Sequence, residues 1–218
     1  MTVSEASADG GNLSTQMTGS LSTDQVDLLR PRAPGALGLV QSFVNTFDME
    51  ADRDAIETPA GLSAWLVDRG LPGAGLVRPA DVERARRLRE AIRASLEHNA
   101  HPGRPSRSGG PVPDLATAAG DIELRVAAGD GAPALVPAGS GVEAALGWVL
   151  AAAVGAAADG SWSRLKVCRN DACRWAYWDA SRNRSGVWCT MAVCGNRAKG
   201  RAFRGRTAGR PPLPDQPG

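Results

Sequence analysis

Two equally spaced cysteine pairs constrain this chain more than any other feature. They read Cys168-x4-Cys173 and Cys189-x4-Cys194, fifteen residues apart, and no other cysteine occurs in the 218 residues. Two thiolates a few residues apart can reach one metal ion from a single tight turn. A second such turn completes a tetrahedral sulfur cage for zinc. Two disulfides are the first alternative, but no signal peptide is visible and a chain of this length does not need staples. Free core thiols are the second, but Arg169, Asp171, Arg174 and Thr190 make the neighbourhood too polar for a buried run. A catalytic zinc keeps an open water position, whereas four sulfurs close the shell. Structural zinc is therefore the expected cofactor, and its removal is expected to unfold the small module around it.

Charge is distributed unevenly about this module. Between Trp162 and Arg210 twelve Arg or Lys face two Asp, a net +10, which leaves −8 on the rest of a chain whose total is +2. A zinc ion with four thiolates carries about two negative charges, too few to account for ten positive ones. A basic module joined to an acidic body points to a polyanionic partner, nucleic acid.

The cysteine stretch resembles the CGNR zinc finger, whose tetrad stands here as Cys194-Gly195-Asn196-Arg197. The similarity runs upstream through Trp188 to Val193 and downstream through Ala198-Lys199. It includes the first cysteine pair and the element Tyr177, Trp178, Asp179 and Ser181. Members commonly carry a basic pair just before the tryptophan, and this chain has Gly186-Val187 there.

Ahead of the module the apolar periodicity is helical. Leu37, Val40, Val44 and Phe47 predict a first helix between Gly35 and Asp48. Thr58 as cap and Pro59 at the first position predict a second, with Leu62, Trp65 and Leu66 buried and Gly70 ending it. A third runs from about Pro79 to His98. Its Arg84, Arg86, Arg87, Arg89 and Arg93, interleaved with Glu83, Glu90 and Glu97, read as a solvated face of local ion pairs. His101 to Pro113 reads as a flexible loop. His98 and His101 beside it are expected to be exposed rather than metal ligands. Ile122, Leu124 and Val126 alternate towards Gly129-Asp130-Gly131 and Ala134-Leu135-Val136, which predicts a β-hairpin. Val142, Leu146, Val149, Leu150 and Val154 mark a fourth helix, and its apolar run, Ala144 to Ala158, is too short to span a bilayer. Gly160 to Trp162 is expected to be a hinge.

This part resembles the ABATE domain, the usual N-terminal partner of CGNR fingers, through Phe43-Val44-Asn45-Thr46-x-Asp48 and Leu62-x-x-Trp65-Leu66. The resemblance implies a stress-induced transcription regulator. Asn45 and Asp48 lie beside the core stripe; they either hydrogen-bond a neighbouring turn or line a small-molecule effector pocket.

The expected fold is α+β. A mainly helical N-terminal domain with a small β-hairpin precedes a small treble-clef-like zinc finger with four cysteine ligands. The expected boundaries are a disordered tail over 1–23, the ABATE-like domain over 24–160, the finger over 161–207 and a disordered Pro-rich tail over 208–218. In the finger a helix is expected from about Met191 to Arg206. Met191, Gly195, Ala198 and Ala202 on one face would pack on the aromatic hairpin, with Trp175, Trp178 and Trp188 as a small core. Arg197, Arg201 and Arg204 share another face, flanked by Lys199 and Arg206, and Arg182 and Arg184 stand on a preceding turn. Guanidinium groups so placed suit phosphates and guanine edges. Asn196 is read as a brace of the second knuckle.

Three function classes follow: a DNA-binding transcriptional regulator, an RNA-binding module with stacked tryptophans, and a zinc-stabilised protein-interaction module. DNA ranks ahead of RNA. A small-molecule effector and a second copy of the chain are further candidate partners, and a membrane is not. The chain reads as cytoplasmic. No P-loop, GxSxG, HExxH or paired catalytic acids speak for an enzyme.

Overall fold

The computed structural model describes residues 29–100, 114–128 and 131–208. The expected tail over 1–23, positions 209–218 of the C-terminal tail, the loop His101 to Pro113 with His101 itself, and Gly129-Asp130 lie outside the described residues. So does the side chain of Arg206.

Helix α1 spans Leu37–Val44 and buries Leu37, Val40, Phe43 and Val44. It ends four residues earlier than the periodicity implied. Thr46 turns back to bond the Phe43 carbonyl, and Phe47–Asp48 becomes strand β1, paired antiparallel with β2, Arg53–Asp54. Asp52, at φ +47°, closes the turn between them. The helical periodicity through Phe47 gives no sign of this strand pair. Helix α2, Pro59–Asp68, starts as the sequence predicts, with Thr58 Oγ1 accepting the Gly61 N–H at 3.1 Å. Gly70 takes φ +62° and stops it.

Helix α3, Pro79–Ala100, corrects the reading of its arginines. Arg89 and Arg93 are only 2% and 1% exposed, among the most deeply buried side chains of the molecule. Position 89 falls in line with Ala85, Ile92 and Leu96 on the inward stripe, so this guanidinium enters the core rather than water. Asp54 receives it bidentately, Oδ1 from Nη1 at 2.6 Å and Oδ2 from Nη2 at 2.9 Å, and Thr46 Oγ1 accepts a further bond at 3.1 Å. Arg93 donates to Glu90 and to the carbonyls of Val44 and Phe47, and both guanidiniums lie over the Phe47 ring. Burial pushes the Asp54 carboxyl up. The Arg89 fork, the Ile56 N–H and the Arg86 charge outweigh it and hold the group below its ordinary value. These two arginines thus tie the β1–β2 turn to α3.

A short helix α4, Leu115–Ala119, capped by Asp114, precedes the expected hairpin. Its strands β3, Leu124–Ala127, and β4, Ala134–Pro137, pair antiparallel from Leu124↔Pro137 to Ala127↔Ala134. Helix α5, Gly141–Ala158, has the length and apolarity to cross a bilayer, more than its alanine-rich run implied, and Ala145, Leu146 and Val149 are fully enclosed in the core. Val154, at the end of the same apolar spacing, is exposed.

The segment read as a hinge is a single 3-10 turn, Ser161–Arg164, whose exit is held by α3: Asn99 Nδ2 donates to the carbonyls of Trp162 (2.8 Å) and Leu165 (3.0 Å). Strands β5, Leu165–Val167, and β6, Ala176–Trp178, then pair antiparallel with Lys166 opposite Tyr177. Strand alternation divides this hairpin between two cores. Leu165, Val167 and Ala176 join the helical core with Trp178 packed against it, whereas Tyr177 joins the four cysteines.

Because Arg89 is enclosed, Asp54→Ala leaves a buried cation without its main counter-charge. We expect a loss of about 3–5 kcal/mol in urea unfolding of the zinc-loaded protein. Arg87→Ala, on the exposed face of the same helix, is expected within about 0.5 kcal/mol of wild type.

Candidate metal centre and nucleic-acid surface

The first cysteine pair sits where β5 turns into β6. Cys168 N–H donates to the Trp175 carbonyl at 2.9 Å, and the Asn170 carbonyl accepts from Cys173 (2.9 Å) and Arg174 (3.0 Å). Arg174 takes φ +45°, which bends the chain from the knuckle into β6. Its guanidinium does not face solvent: it is buried and paired with Glu97 of α3. Thr190 opens the second pair by accepting the Ala192 N–H through Oγ1 at 3.2 Å. A wide π-type turn follows, Met191–Gly195, in which the Gly195 N–H reaches back to the Thr190 carbonyl at 3.1 Å. That turn carries the Cys194 sulfur inwards.

All four cysteines are buried, and their sulfurs lie within 4.8 Å of one another. Cys189 Sγ is 3.7 Å from both Cys173 Sγ and Cys194 Sγ. A tetrahedron with metal–sulfur bonds of about 2.3 Å has edges of about 3.8 Å, so these spacings fit zinc and are far from a disulfide. Asn170 Nδ2 contacts Cys194 Sγ at 3.8 Å as an outer-shell donor. Hydrogen bonds from Cys168, Cys173 and Cys189 hold the Cys194 thiol below its ordinary value, whereas contact with the other sulfurs and burial push Cys173 up. Metal binding releases the thiol protons, so a divalent cation can occupy the space between these four sulfurs once they are thiolates. Cys168, Cys173, Cys189 and Cys194 form a structural zinc site with no open coordination position.

A second charged centre organises the loop between the cysteine pairs. Buried Lys166 donates through Nζ to Asp179 Oδ2 at 2.7 Å and to the Arg184 carbonyl. Asp179 also accepts the N–H groups of Ser181 (3.0 Å) and Gly186 (2.9 Å). Burial pushes the Asp179 carboxyl up; the Lys166 ammonium and the loop N–H groups overcome it and set the group at about 2. A Cβ at Gly186 would stand 2.7 Å from Asp179 Oδ1, so glycine at this position lets the carboxylate close onto the loop. The charge count of the sequence places Lys166 and Arg174 with the basic residues of the module. Both are internal ion pairs, which reduces its exposed charge. An Asp inside an aromatic-Asp-x-Ser element, with a Lys on the preceding strand, was the signal for the first pair.

The second knuckle runs into helix α6, Asn196–Ala208, where Arg197, Lys199, Arg201 and Arg204 are all exposed. Arg197 forms an ion pair with Glu50 on the β1–β2 turn, and Arg201 lies 3.5 Å from Asn170 Oδ1. Asn196 Nδ2 donates to the Ala192 carbonyl at 3.1 Å, the bracing role expected of it. The face expected to pack on the hairpin does so only at its start. Gly195 is buried against Met191 and Trp188, but Ala202 and Phe203 are exposed, so this face of α6 turns to solvent by Ala202. Arg182 and Arg184 lie exposed on the 179–186 loop. Arg184 bonds Ser163 Oγ at 3.1 Å, and no hydrogen bond or ion pair joins either to α6 among the described residues. Of the three tryptophans, Trp175 and Trp188 pack on the sulfur cluster and Trp178 packs on the helical core.

Asn45 is placed where the body meets the finger. Its Oδ1 accepts the Ala176 N–H at 2.8 Å and its Nδ2 donates to the Ala176 carbonyl at 2.9 Å, a two-point clamp on β6. Asp48 Oδ1 accepts the N–H groups of Glu50 (3.0 Å) and Ala51 (3.1 Å) and shapes the turn that presents Glu50. Both polar groups are thereby committed to backbone.

One zinc per chain is expected by elemental analysis, with four thiols unreactive towards an aromatic disulfide reagent until a strong chelator is added. Replacing Cys168 and Cys194 together with Ser is expected to abolish retained zinc. Since the metal cage and the helical core share β5–β6, it should also lower the thermal midpoint of the whole chain, not of a detached module alone.

A family model described as a putative stress-induced transcription regulator, ABATE, matches residues 37–160, more than half of the chain. The model of the CGNR zinc finger matches residues 164–207. No curated protein matches the chain. With a buried four-sulfur site behind the Cys194-Gly195-Asn196-Arg197 tetrad, the chain belongs to the ABATE family and carries a C-terminal CGNR zinc finger.

Proposed function

We propose that this protein is a DNA-binding transcriptional regulator and not an enzyme, acting in a reducing, cytoplasmic setting where its thiolates stay available to zinc. The observation that carries the reading is the solvent-exposed basic face of α6, which follows directly from a zinc ligand. A helix with an exposed basic face can enter a major groove, and Arg201 and Arg204 offer forks for phosphates or guanine edges. Lys199 flanks that face and Arg206 follows it in the sequence, with Arg182 and Arg184 as contacts further along the backbone. Arg197 is held by Glu50 in a half-exposed pair, weak enough to be exchanged for a phosphate. Zinc fixes the start of the helix and takes no part in recognition.

The ABATE part, with boundaries near residues 24 and 160, serves as sensor or dimeriser, and a second copy supplies the second half-site. A stacking platform for unpaired bases is less well supported. Trp175, Trp178 and Trp188 are each half-buried and engaged in packing, which leaves little free ring face.

The test is duplex binding by zinc-loaded protein over a salt series. Wild type is expected to lose affinity steeply with salt, and Arg201→Ala with Arg204→Ala to flatten the log–log slope by roughly two. Glu50→Ala, which frees Arg197, is expected to tighten binding a few-fold. Salt-independent binding, or an unchanged slope in the double variant, would overturn the reading. Preference for single strands would move it to RNA.

A further inference from the structure

Beyond the basic helix, the molecule has a cavity of about 490 Å³ whose wall is built from both parts of the chain. Helices α1 and α2 line it with Asn45 and Trp65, the segment before α1 with Arg30 and Arg32, the end of α2 with Arg69, and the finger with Trp175. That volume lies within the range of small-molecule sites. Among the described residues the wall has no carboxylate and three arginines.

The hydrogen-bonding capacity of this wall is one-sided. Gln41 spends its amide on Ala33 N–H and on the Pro31 and Ala176 carbonyls, and Asn45 spends its own on Ala176. Ser42 and Thr46 donate to backbone carbonyls of α1. Apart from the lone pairs of those two hydroxyls, the side-chain groups that remain are donors. Trp65, at 8% exposed, keeps an indole N–H with no hydrogen-bond partner, an uncommon state for a buried tryptophan. The exposed guanidiniums of Arg32 and Arg69 add charge, Arg69 being only loosely paired with Asp68 at 3.4 Å. Arg30 lies 4.1 Å above the Trp175 ring, so on this side the finger's indole is covered by a planar cation.

From this we infer that the cavity is a binding site for a planar organic anion, its acidic head among Arg32, Arg69 and the Trp65 N–H and its flat body against the Arg30 guanidinium that covers the Trp175 ring. A carboxylate or a phosphate ester can supply the head. Since Asn45 clamps β6 and Trp175 lies two residues beyond the zinc ligand Cys173, an occupant touches the same hairpin that carries the metal cage. Any effect on nucleic acid rests on the function proposed above; the binding itself does not, and it is measured without nucleic acid.

The experiment is calorimetric titration of full-length, zinc-loaded protein with naphthalene-2-carboxylate, naphthyl phosphate, the neutral naphthalene-2-carboxamide and inorganic phosphate. We expect saturable one-to-one binding of at least one of the two planar anions, at least ten-fold tighter than the carboxamide and than inorganic phosphate. Which head binds better distinguishes a carboxylate from a phosphate ligand. Arg32→Ala with Arg69→Ala, both on the surface, should leave the thermal midpoint without ligand unchanged and weaken binding at least ten-fold. Trp65→Phe, which keeps an aromatic ring and removes the N–H, should weaken it several-fold. Absence of saturable binding by both planar anions, equal affinity for the carboxamide, or full affinity in the double arginine variant would each overturn the inference.

Discussion

The fold depends on the short hairpin β5–β6. Its strands are three residues each, too few to be stable alone, and both faces are claimed. One face completes the helical core through Leu165, Val167 and Ala176. The other places Tyr177 beside the sulfur cluster and Lys166 against Asp179. Asn45 at the end of α1 and Asn99 from α3 hold its backbone from the helical side, and Arg174 at its turn is paired with Glu97. The zinc site is therefore part of the body rather than a bead on a linker. Metal binding contributes folding free energy to the small module, and the shared strands pass that constraint into the helices.

Buried charge recurs with the same geometric purpose. Arg89 with Asp54 and Arg174 with Glu97 join segments 35 and 77 residues apart in sequence, and Lys166 with Asp179 bridges 13 residues within the finger. Removing charges from water costs about as much as such pairs return, so apolar replacements could give equal stability. What the pairs contribute is direction. A bidentate guanidinium or a lysine with three acceptors fixes a turn in one orientation, which an aliphatic contact does not. Here the turns so fixed are β1–β2, which presents Glu50 to Arg197, and the 179–186 loop, which carries Arg182 and Arg184.

The consequence for surface chemistry is a sorting of the basic residues. Some of the positive charge in the C-terminal quarter is neutralised internally, and the exposed remainder concentrates on α6 and on one loop. The anion-favouring cavity is a separate concentration, made by arginines from the body around a tryptophan from the finger. The two regions meet at the hairpin, so a molecule in the cavity has a direct physical route to the segment that supports the helix.

By itself the sequence determined the metal site, because two cysteine pairs at matching spacing leave almost no other use for four thiols. It also determined the helical body and the Thr58-Pro59 start of α2, because periodicity and capping act locally. Tertiary structure alone decided where Arg89 and Arg93 go. Their spacing suits a solvated face equally well, and only the carbonyls and carboxylate delivered by β1–β2 make burial favourable. It decided that Asn45 is a clamp, since Ala176 lies 131 residues away along the chain. It also decided that, among the described residues, the finger's own cluster is its cysteines with Tyr177, Trp175, Trp188 and Val193. Which body the side chains of Leu165, Val167 and Ala176 would enter was not legible in the sequence, because that depends on what packs against the other side of the hairpin.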